Sequence, residues 1–110
     1  MLSAGQLNER VTFQSVSRTK GDMGGQVETW ADHATVWANV RQPSSRELVA
    51  AAQMQSTMDH VITVRYRTDI TSDMRVMWRG RALEIVGDPY DPDGRRVEMK
   101  LRCMSGARNG

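Results

Sequence analysis

Apolar residues in this chain recur at every second position, in short runs separated by glycine, proline and small polar residues. Arg10-Val-Thr-Phe-Gln-Ser-Val16 sets Val11 and Phe13 against Arg10, Thr12 and Gln14, the signature of a half-buried strand. Gln26-Val-Glu-Thr-Trp30 predicts a short strand returning antiparallel to it, and the polar run 17–25, with three glycines, predicts a mobile loop of about ten residues between them. Thr35 to Arg41 places Val36, Ala38 and Val40 on one side. His60 to Tyr66 places Ile62, Val64 and Tyr66 opposite Val61, Thr63 and Arg65. Met74 to Trp78 and Arg81 to Val86 form a hairpin around Arg79-Gly80, with glycine supplying a positive φ. In the last strand Val97, Met99, Leu101 and Cys103 point inward, while Arg96, Glu98, Lys100 and Arg102 point outward.

One segment breaks this period. After Pro43, Ser44-Ser-Arg-Glu47 matches a capping box, and Leu48-Val-Ala-Ala-Ala-Gln-Met-Gln55 consists mostly of good helix formers. The sequence therefore predicts a helix from Ser44 to Met58 whose apolar stripe is shallow, a surface suited to a neighbouring subunit. The fold class is mainly β: a small antiparallel β-barrel or sandwich of six to seven strands with one inserted α-helix. Closure of the sheet removes exposed edges. Residues 1–104 read as a single domain, and 105–110 as a disordered tail without apolar content.

Composition narrows the partners. Net charge is only +2, and thirteen of the fifteen basic residues are arginine, mostly with acidic residues nearby in sequence. That balance favours arginine–carboxylate pairing between subunits over a nucleic-acid track. The lone Cys103 excludes an intrachain disulfide and a cysteine-based zinc site, and its place in a strand predicts a buried thiol. No apolar run approaches the ~18 residues of a membrane span. The first residues carry no charged leader followed by an apolar stretch, so the expectation is a protein of the producing cell's cytoplasm before any assembly.

Candidate chemistry is sparse. Asp32-His33 and Asp59-His60 invite a metal or proton-transfer role, but strand neighbours face opposite sides, so neither pair clamps one ion if extended. Asp91-Pro-Asp-Gly94 fails as a calcium loop, since it aligns Pro89 with the first ligand position and Lys100 with the bidentate glutamate position. Gly21 to Gly25 lacks the context of a phosphate loop, and Ser44 and Ser45 serve as helix caps. Trp30, Trp37 and Trp78 with Arg65 and Arg67 leave a second class open, a single-strand-binding barrel in which bases stack on indole rings.

The order of motifs supplies more. Gly5 to Gln14, Asp22 to Trp30, Ala34 to Arg41, Ser45-Arg-Glu-Leu48, Gln53, His60 to Arg67, Met74-Arg-Val76 with Gly80-Arg81, and Leu83 to Val86 followed by Asp91 to Arg96 lie in a recognisable succession. Across about residues 4 to 103 the chain resembles phage head–tail joining proteins, also called head-tail adaptor or head closure proteins. The resemblance implies a non-enzymatic β-barrel subunit, without cofactor or metal, that forms a twelve-fold ring in the neck of the virion. Its implied partners are the portal and adaptor connector proteins on one side and tail-completion or tail-tube proteins on the other, with contact to packaged DNA in the channel. A tail-completion or tail-terminator ring protein is the alternative within the same class. The segments available for such contacts are the glycine-rich run with Arg18, Lys20, Asp22 and Met23; the helix with Arg46, Glu47, Leu48 and Met54; and the strand residues Trp37, Arg41, Arg65 and Arg67.

Overall fold

A computed structural model describes residues 7–21, 24–92 and 94–105. The elements are β1 (Glu9–Lys20), β2 (Gln26–Arg41), α1 (Ser45–Gln53), β3 (His60–Arg65), β4 (Arg75–Trp78), β5 (Arg81–Ile85) and β6 (Glu98–Ser105). All neighbouring strands run antiparallel in the order β1-β2-β3-β6-β5-β4, and β4 returns to β1 to close a barrel. Six strands form, and of the two architectures expected the barrel is realised.

The inward positions are those the two-residue period marks. Val11, Phe13, Ile62, Val64, Val76, Leu83, Leu101 and Cys103 are all buried in one cluster, with Val36, Val40, Tyr66 and Trp78 packed around it. Burial pushes the Cys103 thiol up to about 12, so it stays protonated and packs as a small apolar group. Val97 departs from the expected inward set: it precedes β6 and is exposed, because the strand begins only at Glu98. The far end of β6 runs through Ser105, whose backbone N–H donates to the Asp59 carboxylate; residues 106–110 lie outside the described residues.

Three local readings change. The polar run 17–25 is not a ten-residue loop, because β1 continues to Lys20 and β2 starts at Gln26. A Cβ at Gly21 would sit 3.1 Å from the Gly25 carbonyl oxygen, a tight contact that glycine avoids. The two strands expected over 26–30 and 35–41 are one. Phe13 pairs with Ala34 but Gln14 with Asp32, so His33 is an extra residue in β2. This bulge shifts the phase of the side-chain alternation, and a phase shift reads in sequence as a break. The helix is also shorter than predicted: it stops at Gln53, Met54 caps it, and Gln55 takes φ 56°.

The expected capping box is complete. Ser44 Oγ accepts from the Glu47 N–H and Glu47 Oε1 accepts from the Ser44 N–H. At the β4–β5 hairpin both central residues, Arg79 (φ 50°) and Gly80 (φ 77°), are left-handed, the turn that matches strand twist.

Beyond the closing seam the first hairpin leaves the barrel. Six residue pairs, from Ser15↔Ala31 to Lys20↔Gln26, extend as a two-stranded arm about 17 Å long. Phe13 and Leu101 are fully buried in the barrel. Truncation of either to alanine should cost about 2–5 kcal/mol, read as a fall in the urea midpoint at unchanged slope.

Candidate assembly surfaces

The helix lies on the outside of the barrel. Ala51 packs with Met58 and Val61 in a second small cluster, and Val61 is the outward-facing residue of β3 that the helix covers. A shallow face therefore does dock on its own barrel, through one alanine. Around that contact apolar side chains are left open: Leu48 and Val49 on α1 and Met54 at its C-cap are 46%, 59% and 69% exposed. Arg46 is exposed beside them.

Arg41 anchors the helix start. Its guanidinium donates to both Glu47 oxygens, at 2.7 and 2.9 Å. This pair holds the Glu47 carboxyl down at about 2, with the Ser44 N–H adding to the same effect against a smaller opposing push from burial. One carboxylate thus completes both the cap and the ion pair, which fixes where the chain turns from β2 into α1.

At the barrel end nearest the bulge, His33 Nε2 lies 2.9 Å from Asp69 Oδ2, and Arg67 donates to both oxygens of the same carboxylate. Arg67 is the main reason that Asp69 is held well below the usual carboxylate range, with His33 contributing. The adjacent pairs of the sequence behave differently from one another. Asp32 accepts from Gln14 instead of meeting His33. Asp59 does meet His60 Nδ1, at 2.8 Å, because it precedes the strand and is free of its alternation. Asp59 also accepts from the Ser105 hydroxyl and backbone, so its role is to tie the end of β6 to the start of β3. Among the described residues no group of three or more potential ligands surrounds a metal position.

Each indole carries an arginine over its ring: Arg10 over Trp37 at 4.8 Å, Arg75 over Trp30 at 4.2 Å, Arg79 over Trp78 at 4.9 Å. Each cation covers one face of its ring, and the rings are spread over the arm (Trp30), the barrel part of β2 (Trp37) and β4 (Trp78). Trp37, half exposed, borders a recess of about 340 Å³ lined by Leu7, Val36, Arg65, Tyr66 and Arg67. Arg65 is exposed at its rim.

Sequence reasoning missed the root of the arm. Arg75 is buried in β4, donates through Nε to Gln14 Oε1, and lies over Trp30. Gln14 in turn donates to Asp32. The signal was present as an arginine in a short apolar strand, but its partners are separated from it by some forty to sixty residues. Arg18 and Lys20 are exposed along the arm, with Arg18 3.0 Å from Glu28, while Asp22 and Met23 lie outside the described residues.

The described residues thus form a small closed barrel with exposed apolar side chains around an outer helix and a two-stranded arm, surfaces of the kind that assembly proteins use. The family model of phage head completion proteins matches residues 2–106, and the chain belongs to that family, a structural component of the phage virion at the joining of head and tail. It is 34% identical over 84 residues to the head completion protein gp16 of Bacillus phage SPP1, covering 76% of this chain and 77% of that one. It is 24% identical to the head completion protein gp7 of Enterobacteria phage HK97, covering 96% and 98%. The solution structure of protein SF1141 from Shigella flexneri 2a matches with a TM-score of 0.79 at 33% identity, over 97% of this chain and 99% of that one. A chain in the virion of a native gene transfer agent particle shares the fold, with a TM-score of 0.61 at 16% identity over 88% and 92%.

Two outcomes follow from this geometry. Glu47 is depressed in the folded state, so its stabilisation is complete above its ordinary value near 4.5 and fades as pH falls from there towards 2. The urea midpoint of Glu47→Gln should lie below that of the parent at pH 7 and converge with it across that window. Replacing Arg75 with alanine should speed hydrogen exchange of the arm amides, 15–20 and 26–31, while those of β3 and β6 keep their protection.

Proposed function

We propose that this chain closes the DNA-filled head by forming a ring, twelve-fold in the portal's symmetry, on the portal and adaptor connector, and that it presents the surface to which tail-completion or tail-tube proteins attach. The observation that carries this reading is the pairing of family membership with a helical segment that leaves the apolar side chains of Leu48, Val49 and Met54 exposed. An apolar patch on a domain this small fits a protein contact. A ring contact joins two different patches of identical copies and closes by rotation. The helix and the arm are the two projecting segments, and one of them faces the channel and the packaged DNA.

The modest charge supports the protein-contact reading over DNA binding as the main task. Many of the arginines of the candidate set are already matched within the chain: Arg18 with Glu28, Arg41 with Glu47, Arg67 with Asp69. Such pairs shape a surface that meets a neighbour without a large single-sign field.

The experiment is a phage carrying a nonsense codon in this gene. Packaged heads should accumulate without tails, lose their DNA to added nuclease, and regain infectivity when purified protein is supplied. Tailed, nuclease-resistant particles at normal titre would overturn the proposal. The free protein should run as a monomer in size-exclusion chromatography with light scattering, and Leu48→Glu with Met54→Glu should abolish its attachment to heads without changing that monomer or its melting temperature by more than a few degrees.

A further inference from the structure

We propose that the projecting arm links neighbouring copies edge to edge, the outer edge of β1 in one copy pairing with the outer edge of β2 in the next. The inference rests on the ring reading above and names the contact within it. Among the described residues, β1 has a strand on its outer side only at Thr12 to Gln14, and β2 only at Ala38 to Arg41. From Ser15 to Lys20 and from Gln26 to Trp37 the outer edges offer ladder groups to which no strand is paired. A two-stranded ribbon is marginal in water by itself, and its open edges are a template for a further strand.

The two edges are complementary in direction and in charge. When hairpins are related by rotation about an axis running along them, β2 of one copy descends beside the ascending β1 of the next. The new pair is antiparallel, like every other pair in the molecule. The bulge at His33 sets Gln14, Val16, Arg18 and Lys20 on one face of the arm together with Asp32, Trp30, Glu28 and Gln26. On that face β1 contributes Arg18 and Lys20 and β2 contributes Glu28 and Asp32. Edge pairing therefore sets a cationic strand against the acidic strand of the neighbour, which adds a cation to Glu28, already met by Arg18, and to Asp32, which accepts from the neutral Gln14 amide. The reverse pairings, β1 on β1 or β2 on β2, set like charges opposite each other. Charge thus selects the head-to-tail contact that closes a ring. The opposite face, Ser15, Ser17, Thr19, Val27, Thr29 and Ala31, is small and uncharged, so adjoining ribbons meet no bulky obstruction.

Disulfide trapping in assembled necks tests the contact and its direction. Arg18→Cys and Glu28→Cys are placed in separate copies, which are mixed before attachment to heads. Because Cys103 is buried, the introduced thiols are the accessible ones. The expected result is a covalent dimer of twice the chain mass from the mixture, and no dimer from either variant alone. Since the register between copies is open, the same mixture is made with Val16 or Lys20 against Gln26 or Trp30, and with Ser17 against Thr29 on the other face. Absence of dimer from all of these in particles that still carry the protein and attach tails overturns the arm contact and leaves the ring reading standing. Dimer from Arg18→Cys alone overturns the direction, and a crosslink to a different virion protein overturns self-pairing. Failure of both variants to bind heads, with the parent protein also absent from necks, overturns the ring reading itself.

Discussion

The seam between β1 and β4 is the constraint on which the rest of the molecule depends. Three residue pairs, Thr12↔Met77, Phe13↔Val76 and Gln14↔Arg75, convert an open sheet into a barrel. Phe13 and Val76 are fully buried on its inner side. Without that short seam β1 and β4 would both be free edges, and the inward apolar row would face water on one side. The seam is brief because β1 serves two structures. Its first half walls the core, and its second half leaves as the arm.

The transition between those halves falls at one place. The extra residue His33 changes which side chains face outward, and Arg75, at the last pair of the seam, stands on that outward face with Gln14 beside it and Trp30 beneath it. A guanidinium stripped of much of its water holds its charge less readily, and its value is lowered by that burial. The contacts it makes offset the cost of placing it there. The direction of the arm is therefore set by a polar knot, while the barrel is set by apolar filling. A second ionic device, Arg41 with Glu47, fixes the helix at the opposite end of β2, so both segments take their bearings from the same long strand.

This division suits a protein that works in an assembly. The barrel interior is filled by apolar side chains, while the helical segment and the arm keep apolar surface and backbone groups turned outward. Membership of the head completion family gives those surfaces their setting. Arginine is the common element of the specific contacts. It stacks on all three indoles and grips carboxylates with two donors at Asp69, Glu47 and Glu9. A planar fork does both tasks, which a lysine ammonium does less well.

Alternation in the sequence determined the strands, the inward set from Val11 to Cys103, the β4–β5 turn and the capping box, because each depends on residues within a few positions of one another. The same local rule misread 17–25 and divided β2, since glycines and a phase break look alike whether the chain loops or bulges. It also overran the helix, which ends at the Met54 cap where Gln55 turns left-handed, a conformation that the good helix formers of that segment do not announce. Which strand closed on which, the cation over each indole and the rooting of the arm by Arg75 were decided only in three dimensions. Those contacts join residues tens of positions apart, and a periodic pattern carries no information about such distances.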